Sequence, residues 1–310
     1  MIAETNICEI KNIAGEAFVS VNEKMAGHTT LRMGGTAKVF VSVQTEEILG
    51  RLIVYLEENA VPYFVIGNGS NLLVSDNGYD GVIVKLSGEF EKITCDTSRI
   101  KAGAAVLLSS IAKCALDEEL TGFEFASGIP GSLGGAIVMN AGAYGGEMKD
   151  VVENVRMMVI QNGNIKITDI SNDEMHFGYR RSLITEDSNA KYIVISVDIL
   201  LSKGDKENIL AVMKDLNSKR REKQPLEYPS AGSTFKRPEG YFAAKLIEDA
   251  GLKGFCVGGA AVSTKHAGFC INYDNATASD FYGLIKKVQE KVFEDSAVML
   301  ETEVIMLGEF

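Results

Sequence analysis

The sequence predicts a mixed α and β fold, because helical and strand patterns alternate along its first half. Apolar residues at helical spacing predict one helix over residues 45–59, with Thr45 as its N-cap, and another over 106–120. Short apolar runs at 63–66 and 82–86 predict strands between them. With 46% hydrophobic and 24% charged residues in a length of 310, the chain can form two or three folded domains.

Further elements are predicted in the second half of the chain. The predicted strands are 155–160, 192–201 and 298–307, and the predicted helices are a polar one near 208–221 and an amphipathic one over 277–293. The composition changes around residues 202–205, which predicts a domain boundary near residue 205.

The composition also argues against several classes of protein. A net charge of −11 disfavours nucleic-acid binding, which depends on Lys and Arg neutralising phosphates. The 5 cysteines form no CxxC pair and the 3 histidines are scattered, so neither a disulfide framework nor a metal site is predicted. The sequence has no apolar run of membrane-spanning length and begins without the layout of a secretory signal. We therefore expect a cytoplasmic protein with no membrane insertion, no metal and no obligate protein partner.

A glycine-rich turn, Gly67, Asn68, Gly69, Ser70 and Asn71, separates two apolar runs. Successive backbone N–H groups in such a turn can form a nest for an anion such as a phosphate. No helix can follow, because the next apolar run stops after three residues, and this excludes a Walker loop and a Rossmann fingerprint. The pattern indicates strand, nest and strand, with a hairpin that binds no ligand as the alternative.

A second glycine-rich stretch, at residues 127–146, allows a helix to begin at Ser132. Gly134 and Gly135 would cost that helix about 1 kcal/mol each relative to alanine. Glycines at this cost indicate close packing, either of another chain element or of a flat ligand. Together with the phosphate nest, the stretch favours one extended ligand with a pyrophosphate and a planar ring, as in flavin adenine dinucleotide (FAD).

Two polar segments are candidates for chemistry on a substrate. Ser233 follows a glycine in a segment without a GxSxG pattern, so a proton-donating hydroxyl is a better interpretation than a nucleophile. A basic run ends at Lys223, and Lys236 and Arg237 follow Ser233, which indicates either a diphosphate pocket or a solvated face.

Charged residues in two other segments add further candidates. Arg180 and Arg181 follow an aromatic turn, where a guanidinium could bind a carboxylate or form a surface ion pair. Glu301 and Glu303 share one face of the predicted last strand, either to handle protons or to protect a strand edge.

The ordered set of motifs resembles the UDP-N-acetylenolpyruvoylglucosamine reductase (MurB) family. The motifs are LRMGG at 31–35, VIGNGSNLLV at 65–74, SGIPGSLGGA at 127–136, FGYRRS at 177–182, PSAGSTFKRP at 229–238, HAGFCIN from His266 and LETEV at 300–304. The resemblance runs from about residue 20 to the C-terminus. Because only about ten residues separate Arg181 from the next strand, the chain resembles the branch of the family that lacks an inserted tyrosine loop.

The resemblance implies a flavoenzyme of peptidoglycan precursor synthesis. NADPH would reduce noncovalently bound FAD, and the enolpyruvyl ether of a UDP-sugar would then be reduced to give UDP-N-acetylmuramate. The alternatives are an FAD-dependent oxidase of the same fold and a noncatalytic binder of nucleotide sugars. The implied fold is α+β, with an FAD-binding domain of the vanillyl-alcohol oxidase (PCMH) type made of two subdomains, and a smaller α+β substrate-binding domain.

The resemblance also implies domain limits and residue roles. The FAD-binding domain would span 1–205, with subdomains at about 1–88 and 89–205 and the strand at 297–310 returning to it, and the substrate-binding domain would span 206–296. The implied catalytic residues are Arg180, Ser233 and Glu303, and the implied substrate-binding residues are Lys223, Lys236, Arg237 and His266. The implied cofactor-binding residues are Gly67, Asn68, Gly69, Ser70, Asn71, Gly128, Ile129, Pro130, Gly131, Ser132, Gly134, Gly135, Asn140 and Ala141.

Overall fold

The computed structural model describes residues 2–310. The α-helices span Glu4–Ala14 (α1), Glu46–Glu58 (α2), Leu108–Asp117 (α3), Leu133–Val138 (α4), Leu183–Glu186 (α5), Lys206–Lys223 (α6), Ala243–Asp249 (α7) and Ala278–Ser296 (α8). The strands span Val19–Lys24 (β1), Thr36–Val43 (β2), Tyr63–Ile66 (β3), Leu72–Val74 (β4), Tyr79–Leu86 (β5), Ile93–Asp96 (β6), Arg99–Gly103 (β7), Leu120–Thr121 (β8), Gly142–Ala143 (β9), Gly146–Glu147 (β10), Val152–Gln161 (β11), Asn164–Ser171 (β12), Lys191–Leu200 (β13), Ser202–Lys203 (β14), Cys256–Val257 (β15), Ala260–Val262 (β16), Cys270–Asn272 (β17) and Ile305–Leu307 (β18).

The chain divides into two compact units. The first unit comprises the residues up to Ser20, Val39–Asn68 and Gly81–Lys219, and the second comprises Val21–Lys38, Gly69–Asp80 and Arg220–Phe310. Residues 206–219, beyond the boundary that we predict near 205, group with the first unit, where Asn217 donates a hydrogen bond to Ser127. Residues 297–310 group with the second unit.

The first unit has a core between its sheets and helices. Its five-stranded antiparallel sheet has the order β12-β11-β13-β7-β6, and in a second sheet β3 pairs in parallel with β5. Helix α2 buries Leu49, Leu52, Ile53 and Leu56 completely, and each such side chain contributes about 1.5–3 kcal/mol. The predicted cap is confirmed, because the Thr45 side chain accepts the backbone N–H of Ile48.

The second unit has its own core around α8. The strands β15, β16 and β17 form a small antiparallel sheet, β18 pairs in parallel with β4, and α8 buries one apolar face. The predicted helix over 277–293 is confirmed, with Thr277 as its N-cap. The predicted strand over 298–307 is wrong in extent. Only Ile305–Leu307 is a strand, because Thr302 faces the irregular segment at Phe235 and forms an isolated bridge there.

Asp76 fixes the turn after β4 to the start of α8. Its carboxylate accepts the backbone N–H groups of Ala278 and Ser279, both at 2.8 Å, and the Ser279 hydroxyl at 2.7 Å. Although burial raises the pKa of Asp76, these hydrogen bonds outweigh it and hold that pKa below its usual value. A carboxylate at this position also complements the positive end of the helix dipole.

Candidate active site

The glycine-rich turn at residues 67–71 joins two strands that do not pair with each other. Strand β3 ends at Ile66 and pairs with β5, whereas β4 begins at Leu72 and pairs with β18. The alternative of a simple hairpin is therefore wrong. The predicted order of strand, turn and strand is confirmed.

The two glycines of this turn have no space for a side chain. A Cβ atom at Gly67 would lie 2.2 Å from Ser132 Oγ, and one at Gly69 would lie 2.0 Å from the carbonyl oxygen of His28. Gly69 also has a left-handed φ of 61°, which glycine adopts at little cost. Asn68 donates from Nδ2 to the carbonyl of Pro130 at 2.6 Å, so the first part of the turn is bonded to the second glycine-rich stretch.

A cavity of about 290 Å³ in the first unit brings several predicted residues together. Among the predicted cofactor residues, its lining includes Gly67, Asn68, Ser132, Gly134 and Gly135. The other lining residues are Val65, Ile66, Lys85, Leu86, Glu91, Ala104, Ala105, Leu107, Val138, Tyr192, Ile193 and Val194. This second group is not predicted from the sequence, because most of its members are strand and loop residues outside any motif, and Val65 and Ile66 read only as part of the strand before the glycine-rich turn.

Ser132 and the glycines after it form one wall of this cavity. Ser132 is 3% exposed, and its Oγ has no hydrogen-bond partner among residues 2–310. Helix α4 begins after it, as predicted, and a Cβ at Gly134 would lie 3.0 Å from that of Ala104. At Gly135 a Cβ would meet only Ser132 Oγ within 4 Å, at 3.7 Å, so close packing of the chain does not explain this glycine. An unsatisfied hydroxyl beside close-approach glycines fits a bound phosphate ligand.

The remaining predicted cofactor residues do not line this cavity. The carbonyl of Gly131 accepts the N–H of Leu108 at 3.1 Å, and the N–H of Ala141 donates to Ala136 at 2.8 Å. Gly128, Ile129 and Pro130 form the loop before Ser132, and Ser70 and Asn71 complete the glycine-rich turn, where Asn71 Nδ2 donates to the carbonyl of Glu303 at 2.9 Å. Asn140 is completely buried.

Arg180 lies in a tight turn of the first unit. Gly178 and Arg181 exchange backbone hydrogen bonds of 3.1 and 3.3 Å, and Arg180 has a left-handed φ of 55°. The Arg180 guanidinium lies 5.0 Å from the centre of the Tyr179 ring. Arg181 instead forms an exposed ion pair with Glu186 at 3.1 Å. The two arginines are adjacent in the sequence, but their side chains have different partners in the structure.

Ser233 and Glu303 are brought together in the second unit. The N–H of Glu303 donates to the carbonyl of Thr234 at 2.9 Å, and the N–H of Lys236 donates to the carbonyl of Glu301 at 2.8 Å. This antiparallel pairing places Glu303 opposite the residue after Ser233. Glu301 is exposed and its carboxylate pairs with Lys236 Nζ at 2.5 Å, whereas Glu303 is partly buried.

The other predicted substrate residues also belong to the second unit. Arg237 lies with its guanidinium 4.8 Å from the centre of the Phe242 ring, and Lys223 is the last residue of α6. His266 accepts the N–H of Gly268 at Nδ1 (3.1 Å), and burial lowers the pKa of its imidazole. A neutral His266 therefore carries its proton on Nε2, where it can donate a hydrogen bond.

Residues 2–310 contain no group of three or more His, Cys, Asp or Glu side chains that could hold a metal ion. Over the same range, none of the helices has both the length and the apolar character to cross a membrane.

Comparisons with known proteins identify the class and the family. Residues 37–169 match the model of an FAD binding domain, which places the chain in the class of FAD-dependent oxidoreductases, and residues 224–307 match the C-terminal domain of UDP-N-acetylenolpyruvoylglucosamine reductase. The chain is 51% identical over 308 residues to the UDP-N-acetylenolpyruvoylglucosamine reductase of Caldanaerobacter subterraneus subsp. tengcongensis, covering 99% of this chain and 100% of the relative. The chain therefore belongs to the UDP-N-acetylenolpyruvoylglucosamine reductase (MurB) family.

Other relatives agree with this assignment. The enzyme of that name from Clostridioides difficile strain 630 is 47% identical over 298 residues, covering 96% of each chain. The crystal structure of UDP-N-acetylenolpyruvylglucosamine reductase (MurB) from Thermus caldophilus is 36% identical with a TM-score of 0.77, covering 94% of this chain and 98% of that one. The predicted family, fold class and FAD cofactor are confirmed.

Proposed function

We propose that the chain uses NADPH, through FAD, to reduce UDP-N-acetylglucosamine enolpyruvate to UDP-N-acetylmuramate for peptidoglycan synthesis. When bound, FAD would supply the hydride that reduces the enolpyruvyl double bond. Family membership supports this reaction over an oxidase or a noncatalytic binder. We assign FAD to the predicted domain at 1–205 and the UDP-sugar to the one at 206–296; the FAD-domain match at 37–169 lies within the first, and the C-terminal-domain match at 224–307 begins within the second.

We assign the flavin pyrophosphate to the turn at residues 67–71 and to the cavity wall at Ser132. The unsatisfied Ser132 hydroxyl and the backbone N–H groups of the turn are hydrogen-bond donors without negative charge. Gly67 and Gly135 would allow the ligand to approach the backbone. The same assignment extends to the loop at 128–131, to Gly134, to Ala141 and to the backbone of Asn140, which precede or follow Ser132 in the sequence.

We assign the chemistry of the second half-reaction to Arg180, Ser233 and Glu303. Arg180 would bind the substrate carboxylate, onto which negative charge moves when the double bond is reduced. Ser233 Oγ would then donate a proton to the carbon next to that carboxylate. Glu303 would act with Arg180 in stabilising the enolic charge distribution. The backbone hydrogen bond from Glu303 to Thr234 brings Glu303 beside Ser233, and it is the observation that best supports a joint role for Ser233 and Glu303.

Binding of the diphosphate is assigned to Lys223, Lys236 and Arg237, with His266 as a neutral donor. These residues supply local positive charge in a chain whose net charge is −11. We also propose that the enzyme works in the cytoplasm without an obligate protein partner. Its five cysteines are all free thiols, as expected in a reducing compartment.

Replacement of Ser233 by alanine tests the proton-donor role. In Ser233→Ala, reduction of the flavin by NADPH should keep its rate, and reoxidation by the enolpyruvyl substrate should slow by about 10² or more, the contribution of a general acid. Stopped-flow absorbance of the flavin separates the two half-reactions. Ser230→Ala, in the same segment, is the matched control and should change neither rate. Unchanged reoxidation in Ser233→Ala would remove the proposed role.

A further inference from the structure

Asn140 uses its whole side-chain amide within the protein. It is completely buried and has a left-handed φ of 44°. Its Nδ2 group donates to the carbonyl of Gly178 at 3.0 Å and to Oε2 of Glu147 at 2.9 Å, while Oδ1 accepts the N–H of Lys149 at 2.9 Å. Both amide donors are therefore occupied by protein acceptors, and neither is left to bind a cofactor.

One of these acceptors begins the turn that presents Arg180. The left-handed backbone at Arg180 is unfavourable for a residue with a side chain, so the surrounding structure must hold it. Asn140 anchors the turn at Gly178, and the buried Ser182 hydroxyl anchors its other end by donating to the carbonyl of Val138 at 2.7 Å. The base of the turn is thus fixed to the last residue of the glycine-rich helix α4 and to Asn140 just after it.

The second acceptor places a negative charge near the same arginine. The Glu147 carboxylate also pairs with Lys149 Nζ at 2.9 Å. The hydrogen bond from Lys149 lowers the pKa of Glu147 most, and the charge of Arg180 contributes to the same shift. Asn140 thus connects the Arg180 turn and a nearby carboxylate through one buried amide.

We propose that Asn140 is a positioning residue that holds Arg180 for the substrate carboxylate. The inference rests on the proposed role of Arg180, and it gives the Asn140 side chain a function separate from cofactor binding. Loss of the amide would leave the Gly178 carbonyl bonded to the N–H of Arg181 but would remove the bond that ties the turn to Asn140, so the turn could relax. Ligands with the carboxylate would then bind more weakly, whereas ligands without it would be unaffected.

The test is the binding of two ligands to oxidised, FAD-loaded protein, followed by the change in flavin absorbance. UDP-N-acetylmuramate carries the carboxylate, and UDP-N-acetylglucosamine does not. In Asn140→Gly, which removes the amide and tolerates the left-handed φ, the Kd of UDP-N-acetylmuramate should rise at least tenfold. The Kd of UDP-N-acetylglucosamine should stay within twofold. Reoxidation by the enolpyruvyl substrate should slow, and reduction by NADPH should not.

Two further variants make the result decisive. Asn172→Ala is the matched control, because Asn172 also donates from its amide to two backbone carbonyls, those of Lys149 and Val152, and it should leave both Kd values unchanged. Arg180→Lys tests the role on which the inference rests. If Arg180→Lys loses the preference for UDP-N-acetylmuramate over UDP-N-acetylglucosamine and Asn140→Gly keeps it, the inference about Asn140 is wrong and the role of Arg180 stands. If Arg180→Lys keeps this preference, the proposed role of Arg180 is wrong, and the inference about Asn140, which rests on it, is wrong too.

An effect of Asn140 on the flavin itself would also overturn the inference. Such an effect would be shown if Asn140→Gly and the milder Asn140→Ser both lose FAD. It would also be shown if either variant weakens the binding of UDP-N-acetylmuramate and UDP-N-acetylglucosamine equally. Asn140→Ser retains a polar group that is too short to reach both acceptors, so it should reproduce the selective loss where the glycine variant does not fold.

Discussion

Ser132 is a buried hydroxyl whose oxygen has no partner among the described residues. A buried polar group without a hydrogen bond costs about 1–3 kcal/mol, so the folded protein without FAD is destabilised at this point. A phosphate oxygen of the ligand would provide the missing partner. The cost of the unpaired hydroxyl and the gain when FAD binds are therefore two parts of one interaction.

The variant Ser132→Ala should separate these two effects. Without FAD, its free energy of unfolding should equal or exceed that of the unmodified protein, because an unsatisfied group is removed. Its FAD affinity should fall by about 1.5–3 kcal/mol, which is at least tenfold in Kd, because a hydrogen bond to a charged group is lost. Urea denaturation of the flavin-free protein and fluorescence titration with FAD measure the two quantities. Ser110→Ala, at an exposed position in α3, is the control, and an unchanged Kd in Ser132→Ala would contradict the phosphate assignment.

At the scale of single residues, the sequence predicts the positions that need glycine but not the roles of buried amides. Gly67 and Gly69 are visible in the sequence because an unusual composition interrupts two apolar runs. Asn140 gives no such signal, since its partners at Gly178 and Glu147 come from other elements. Glu301 and Glu303 look equivalent in the sequence, but in the structure Glu301 is exposed and paired with Lys236, whereas Glu303 is partly buried.

Among the secondary-structure elements, α8 depends on a carboxylate from a distant part of the chain. Thr277 caps the helix from within, and Asp76 accepts two N–H groups of its first turn from outside. The apolar face of α8 and its Thr277 cap are predictable from local sequence. Asp76 lies about 200 residues earlier, so its contact with α8 is not predictable from local sequence, which indicates only that Asp76 belongs to a turn.

Replacement of Asp76 by asparagine should destabilise the protein by about 1 kcal/mol at pH 7, in the range known for helix caps. Because the folded pKa of Asp76 is lowered relative to 3.8, its stabilisation is fully present above that pH and is lost as the pH falls through the folded value. The difference in unfolding free energy between the two proteins should therefore be constant from pH 7 to 5 and shrink below about 3.8. Urea denaturation at several pH values measures it, with the exposed Asp274→Asn as control. A difference that grows on acidification would contradict the assignment.

The short last strand shows what the sequence pattern lacks at this scale. Alternation over 298–307 predicts one long strand, but a strand needs a regular partner along its whole length. Strand β18 has that partner in β4 over three residue pairs, whereas Thr302 has only the bridge to Phe235. Similarly, β3 and β4 are predictable as strands, but their membership of different sheets depends on pairings with distant residues.

In the whole molecule, FAD should contribute substantially to stability. A ligand that binds only the folded state stabilises it by about 2.7 kcal/mol at a hundredfold excess over Kd. The midpoint of thermal unfolding should therefore rise by several degrees when flavin-free protein is loaded with FAD, as followed by calorimetry. Flavin mononucleotide, which lacks the pyrophosphate linkage, should give a smaller rise because the turn at 67–71 is assigned to that linkage. Equal midpoints with and without FAD would contradict this expectation.

Neither compact unit is formed by one continuous segment. The chain leaves the first unit at Val21 and Gly69 and returns at Val39 and Gly81 before the long C-terminal segment begins. The change of composition along the sequence marks the last passage from the first unit to the second, near α6. It does not mark the two short segments of the second unit, Val21–Lys38 and Gly69–Asp80, because the composition does not change at their ends. Expression of residues 220–310 alone should therefore leave that unit without β4 and without Asp76.

The parallel pair of β4 and β18 also has a consequence for synthesis on the ribosome. Asn71, at the start of β4, lies 232 residues before Glu303, which its side chain contacts just ahead of β18. At translation rates of about 5–20 residues per second, β4 waits roughly 10–50 seconds for its partner to be made. During that interval its edge can pair with other chains, so the nascent protein is most exposed to aggregation before its final residues emerge.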